Sequence, residues 1–205
     1  MIPRRTFTLS AMAIAAAAPA RADDWQTDPS GYVSKFAETG ITQILEADIP
    51  QSEKSSRFRT LFGEFFDIPA IGRFVLGRFA RAAKPDDLDA FQKLFEDVIV
   101  YTWTRRFSEY QGQTLNVQNS SPDGNNGAVV NSAIIDKNGQ SFAVAWRLRM
   151  REQGYRIVDI IIEGVSMAIT YRQEYATVIQ QNGGMSGLLT QMRKQVSDLE
   201  KQSDT

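Results

Sequence analysis

Apolar side chains recur at helical spacing through the first half of the chain. From Ser30 to Leu45, Val33, Phe36, Ile41, Ile44 and Leu45 fall mainly at three- and four-residue steps and Pro50 closes the segment, which predicts a first helix. A second is predicted near Ser56 to Phe66, where Phe58, Leu61, Phe62, Phe65 and Phe66 form one stripe. Pro69 opens a short third carrying Ile71, Phe74, Val75, Leu76 and Phe79. Pro85 with Asp86 and Asp87 suits a helix start, because Pro fits the first turn and the acids face the positive end of the helix dipole. That helix should reach about Tyr110, with Leu88, Phe91, Leu94, Phe95, Val98, Ile99, Trp103 and Phe107 making a wide apolar face.

After Gly112 the period changes to two. Leu115 and Val117 begin a strand, Pro122 to Gly127 is a loop of turn formers, and Ala128 to Asp136 is a second strand ended by Asn138-Gly139. In the third strand Phe142, Val144, Trp146, Leu148 and Met150 alternate with Ser141, Ala143, Ala145, Arg147, Arg149 and Arg151, so one face is apolar and the other solvated. Gln153-Gly154 turns into a fourth strand, Tyr155 to Glu163. Ser166 can N-cap a helix over Met167 to Gln181, Gly183-Gly184 ends it, and a last helix runs from Met185 to about Glu200. Helices, a four-stranded meander and helices again make an α+β fold, with helices packed on one face of a curved antiparallel sheet.

Charge and composition narrow the chemistry. Residues 1–22 read as a cleavable export signal: Arg4 and Arg5 start it, a short apolar run spans Leu9 to Ala18, and Ala20-Arg21-Ala22 precedes Asp23. The run is shorter than the roughly 20 residues a membrane span needs. Arg4-Arg5-Thr6-Phe7-Thr8-Leu9 also resembles a twin-arginine signal, and both export routes stay open. The expected organisation is thus a signal peptide over 1–22 and one exported domain over 23–205. Cleavage takes away three arginines and no acid, moving the formal charge from −1 to −4. Such a balance is not the footprint of a nucleic-acid binder.

The chain has no Cys and no His. Disulfides, zinc clusters, thiol nucleophiles and imidazole-dependent triads are therefore excluded. Nine of the twelve phenylalanines lie between residues 58 and 107. Either they form a dense core, or helices and sheet stand apart around an apolar cavity. A two-chain phospholipid is one cargo for such a cavity: roughly thirty methylenes at about 0.8 kcal/mol each make its transfer to water cost on the order of 20 kcal/mol. A carrier must replace bilayer contact almost completely, and it needs no catalytic groups to do so.

Several segments are recognisable together: Val75-Leu76-Gly77-Arg78-Phe79-Ala80-Arg81-Ala82-Ala83-Lys84-Pro85, then Phe91 and Phe95, then Tyr110-Gln111-Gly112-Gln113, and finally Glu163-Gly164-Val165-Ser166-Met167. In order and spacing, over roughly Ser30 to Val196, they resemble the MlaC or toluene-tolerance family. The resemblance implies a nuclear-transport-factor-2-like sheet with helices around an acyl-chain cavity. It also implies a periplasmic phospholipid-binding protein without catalytic residues and with no cofactor besides its lipid cargo. Its implied partners are a diacyl phospholipid, an inner-membrane ABC transporter with an MCE-domain subunit, and an outer-membrane lipoprotein–porin complex. Two positions depart from the family pattern: Lys84 stands where Thr or Ser usually caps the helix, and Ala80 where an aromatic is common. Hopanoid-linked relatives share much of the pattern, so another lipid cargo stays open.

For the lipid site the expected lining is Val75, Phe79, Phe95, Val98, Ile99 and Trp103 from the helices, and Val144, Trp146, Leu148, Val158, Ile160 and Ile162 from the sheet, with Val165 and Met167 closing one end. Each of these is equally compatible with ordinary core packing. Arg105, Arg106, Arg147, Arg149, Arg151 and Arg172 belong either to solvated faces or to contacts with phosphate or an acidic partner. The rival class is an isomerase or dehydratase on the same type of cone, with Asp159 and Tyr155 pointing the same way from the fourth strand alongside Ile157 and Ile161. Asp159 reads more simply as a structural partner for an arginine.

Overall fold

A computed structural model describes residues 24–106 and 109–203; the expected signal segment and Phe107 lie outside them. The chain begins with α1 (Pro29–Gly40), capped by Asp28, whose carboxylate accepts from the Gly31 backbone N–H. A π-helical turn over Ile41–Leu45 continues it. Helix α2 (Gln51–Phe65) starts directly after Pro50, a full turn earlier than the apolar stripe alone marks. Helix α3 (Ile68–Leu76) is capped by Asp67, with Pro69 in its first turn, and a 3-10 turn over Gly77–Arg81 leads on to α4 (Pro85–Arg106). Asp86 and Asp87 in the first turn of α4, and Arg105 and Arg106 in its last, complement the helix dipole.

The sheet consists of β1 (Thr114–Pro122), β2 (Gly127–Ile135), β3 (Ser141–Arg151), β4 (Gly154–Ile162) and β5 (Val165–Ser166), antiparallel and in sequence order. The four-stranded meander is thus present with a two-residue fifth strand added, and β1 runs through Pro122, where a loop was expected. Pro122 can end β1 because β1 is an edge strand. Helices α5 (Met167–Gln181) and α6 (Met185–Ser203) follow, and Ser166 caps α5 by accepting from the Ile169 N–H at 3.1 Å. The architecture is α+β, an open antiparallel sheet with helices before and after it.

Helix α1 lies against β1 and β2, α5 lies against β4, and α4 makes its closest backbone approaches to α6, α2 and α3. Buried side chains of α4 and of the sheet belong to one apolar cluster. At the junction of α2 and α3, the Tyr32 hydroxyl donates to Phe65 O at 3.0 Å and accepts from Arg156 Nη1 at 3.1 Å. The backbone N–H of Asp67 donates to Ile157 O at 3.0 Å. These bonds fix the aromatic end of α2 beside β4. Gly72 allows α3 to approach α4, since a Cβ there would meet Gln92, whose Nε2 donates to Ile68 O at 2.9 Å.

Candidate functional site

Cross-strand register decides which side chains reach the space under the helices. On β3, Val144, Trp146 and Leu148 are buried on one face. Opposite them lie Ser132, Val130 and Ala128 of β2, and Ile162, Ile160 and Ile157 of β4. The partner of Leu148 is Ile157 because the ladder slips between Arg147 and Leu148, leaving Val158 as the extra residue of a bulge. Strict alternation placed Ile157 on the opposite face with Asp159. The bulge overturns that: Ile157 is 0% exposed against the core, whereas Val158 is half-buried.

From the helical side Val75, Phe95, Val98 and Ile99 are buried, and Phe79 and Trp103 half-buried. All six join the same apolar cluster as Val144, Trp146 and Leu148, with Val158 and Ile160 packed at its border. Ile162 and Met167 are half-buried, while Val165 is 53% exposed on β5. The structure thus brings the helical residues and Val144, Trp146, Leu148, Val158 and Ile160 into one layer, leaves Ile162 and Met167 half-buried outside that cluster, and turns Val165 outward.

Aromatic rings organise that layer in two groups. Phe36 of α1 meets Phe65, Phe66 and Trp146 at centroid distances of 5.4–5.5 Å. On the other side, Phe91 and Phe95 of α4 stack at 5.7 Å, and Tyr175 of α5 stands edge-on to both, at 5.9 and 6.3 Å. Tyr171, one turn earlier, is edge-on to Phe95 at 5.9 Å. Such perpendicular pairs align a ring's positive edge with a neighbour's negative face. Beside this group, Phe79, Ala82, Ala83, Ile179, Gln180, Gly184 and Met185 line a surface recess of about 280 Å³.

Sequence reasoning did not single out Tyr175 as part of the site. Burial pushes its phenol well above the ordinary tyrosine range, and Tyr171 and Glu174 push the same way. Burial also raises Tyr171, with Glu174 adding to the effect and Arg106 opposing it. Both phenols are therefore neutral donors. The i, i+4 spacing on α5 was the available signal; that α4 would face it is a tertiary fact.

The arginines of β3 face carboxylates of the same chain. Arg147 reaches Asp123 and Asp159, each at 3.3 Å, Arg149 reaches Asp123 at 2.8 Å, and Arg151 reaches Asp67 at 2.7 Å. Arg105 bonds Gln202, the Arg106 guanidinium lies 5.6 Å from the centre of the Trp103 ring, and Arg172 lies 5.0 Å from that of Phe74. Asp159, 6% exposed, also accepts from Ser166 Oγ at 2.6 Å and from the Ala168 N–H at 3.0 Å. It is a structural hub joining β3, β5 and α5.

The pairing of Asp159 with Tyr155 that the rival enzyme reading requires is not assembled. Asp159 sits opposite Arg147, whereas Tyr155 sits opposite Met150, on the face of Leu148. The bulge between them turns the two side chains to opposite faces of the sheet. Among the described residues no group of His, Cys, Asp and Glu is arranged to hold a metal ion, and no helix is long and apolar enough to cross a membrane.

Comparison with known proteins matches residues 37–194 to the sequence profile of the MlaC protein family. The chain belongs to the MlaC family. It is 22% identical over 124 residues to the toluene tolerance protein ttg2D of Pseudomonas putida, a match spanning 60% of this chain and 58% of that one. It is 20% identical over 200 residues to the intermembrane phospholipid transport system binding protein MlaC of Haemophilus influenzae, covering 94% and 91% of the two chains. In structure it resembles a phospholipid-binding protein from Ralstonia solanacearum, solved in complex with a phospholipid, with a TM-score of 0.75 at 20% identity over 83% of this chain and 98% of that one.

The segments that carry the MlaC resemblance have identifiable structural jobs in this fold. Gly77 ends α3 at φ 55°, a backbone conformation that favours glycine, and a Cβ there would press on the Arg172 side chain. Glu163 and Gly164, at φ 48° and 79°, make the two-residue turn between β4 and β5 that needs positive φ at both positions. The Glu163 side chain accepts from the Ala143 N–H and its own N–H donates to Ala143 O, so this MlaC segment ties the turn back to β3.

Proposed function

We propose that this MlaC-family chain is a periplasmic phospholipid-binding shuttle. It takes a diacyl phospholipid as cargo and carries it between an outer-membrane lipoprotein–porin complex and an inner-membrane ABC transporter with an MCE-domain subunit. Residues 1–22 serve as the export signal and the remainder as one lipid-binding domain. It performs no catalysis, and its only small-molecule ligand is the lipid.

The observation that carries this reading is the single buried apolar cluster that holds side chains of α4 together with those of β3. Phe95, Val98 and Ile99 on one side and Val144, Trp146 and Leu148 on the other offer hydrocarbon contact without a charge among them. The names of the relatives and the fold shared with a phospholipid-bound protein point the same way. Because these side chains pack on one another, acyl chains enter by moving α4 outward from the sheet. Such a movement is cheaper than separating strands, whose backbone hydrogen bonds would have to break.

The test is organic extraction and native mass spectrometry of the protein purified from the periplasm of a lipid-replete bacterium. One phospholipid per chain is the expected result. Protein that is repeatedly lipid-free, or that carries a different class of ligand, overturns the proposal.

A further inference from the structure

The hydroxyl of Tyr175 has no hydrogen-bond partner among the described residues, although the residue is only 3% exposed. Buried polar atoms are ordinarily paired, and a hydroxyl left alone carries its full desolvation penalty. Other buried polar groups obey the rule. Trp146 has Ser132, Tyr32 has Phe65 O and Arg156, and Thr104 Oγ1 has Val100 O. Tyr175 instead presents a neutral O–H beside the stacked rings of Phe91 and Phe95, within the layer to which the acyl chains are assigned.

The surroundings decide which acceptor suits it. A phosphate brought among these rings would be a buried charge needing a cation. The rings around it, Phe91, Phe95 and Tyr171, supply none. An uncharged acceptor is what the position can accept. In a diacyl phospholipid the uncharged acceptors between the chains and the headgroup are the ester carbonyls.

We propose that Tyr175 is a cargo-binding residue whose hydroxyl donates a hydrogen bond to an acyl ester carbonyl of the bound phospholipid. This rests on the phospholipid-carrier reading and adds to it a chemical requirement: the chains must be ester-linked for full affinity. The contact sets the depth at which the glycerol backbone stops.

The experiment compares uptake from vesicles of diacyl phosphatidylcholine with uptake from vesicles of the dialkyl ether analogue with the same chain lengths, for the unmodified protein and for Tyr175→Phe. The unmodified protein should hold the ester lipid about 5-fold to 10-fold more tightly, the ratio expected for one net hydrogen bond. Tyr175→Phe should bind both lipids equally, at the level of the ether analogue, and should melt at or above the temperature of the unmodified protein, because an unpaired hydroxyl has been removed. Equal binding of ester and ether by the unmodified protein, or an ester preference that survives in Tyr175→Phe, overturns the proposal. Should the variant fail to fold, the two lipids still discriminate on the unmodified protein. Binding of neither lipid would defeat the carrier reading itself, a result distinct from loss of the ester preference alone.

Discussion

Trp146 on β3 donates its indole N–H to the hydroxyl of Ser132 on β2 at 2.9 Å, and that hydroxyl donates onward to Val144 O at 2.8 Å. A tryptophan can therefore stand in the apolar layer with its one polar atom satisfied. Ser132→Ala should cost about 1–3 kcal/mol, because it strands the indole donor in the core. Trp146→Phe in the Ser132→Ala background should cost less than in the unmodified protein. A urea-denaturation double-mutant cycle measures this, and additive losses would show that the hydrogen bond carries no coupling.

The Arg–Asp pairs behind β3 give the fold an acid limb. Hydrogen bonding from Arg149, reinforced by the charges of Arg149 and Arg147, holds the Asp123 carboxyl below the usual carboxylate range. A group depressed in this way stabilises the fold above its unfolded pKa, and that contribution disappears as pH falls through the folded value. Asp123→Asn should lower the melting temperature slightly at neutral pH and by progressively less as the pH is taken below about 4. The effect is small because Asp123 is near the surface and screened. An unchanged difference between the two proteins across the acid range would remove Asp123 from the account.

Asp159 anchors β3, β5 and α5. Asp159→Asn keeps the shape and loses the charge that Arg147, Ser166 and the Ala168 N–H address. The expected result is a loss of about 1.5–3 kcal/mol in stability, as for hydrogen bonds to a charged group, with phospholipid binding intact below the melting transition. Stability unchanged with binding abolished would place Asp159 in the site after all.

Much of this was legible along the chain, because the apolar period is set by the same geometry that sets the elements. The Ser166 cap, the start of α4 at Pro85 and the alternation on β3 all stand where pattern and cap chemistry place them. The bulge at Val158 was not legible, since a one-residue slip leaves composition unchanged while turning every later side chain to the other face. For that reason Ile157, and not Val158, packs on Leu148, and Tyr155 and Asp159 part company. The two residues of β5 are too few to show a period. Tyr175 was hidden for a different reason: an i, i+4 pair of tyrosines on α5 acquires meaning only once Phe91 and Phe95, about 80 positions away in sequence, are seen across from it.

Bulk added between α4 and the sheet should exclude acyl chains. Val98→Trp and Val144→Trp each place an indole in the layer at a buried position. Overpacking of this kind should cost about 1–3 kcal/mol, which leaves a folded protein. Circular dichroism should show native secondary structure with a lowered melting temperature, and phospholipid loading should fall at least tenfold. Folded variants that load lipid normally would move the cargo elsewhere.

The most direct measurement is photo-cross-linking with a phospholipid that carries a diazirine at the end of one acyl chain, followed by peptide mapping. The account predicts labels on Val98, Ile99 and their neighbours in α4 and on Val144 to Leu148 of β3. Labels confined to the recess at Ala83 and Met185 or to the outer face of the sheet, or no lipid-dependent labelling at all, would contradict it.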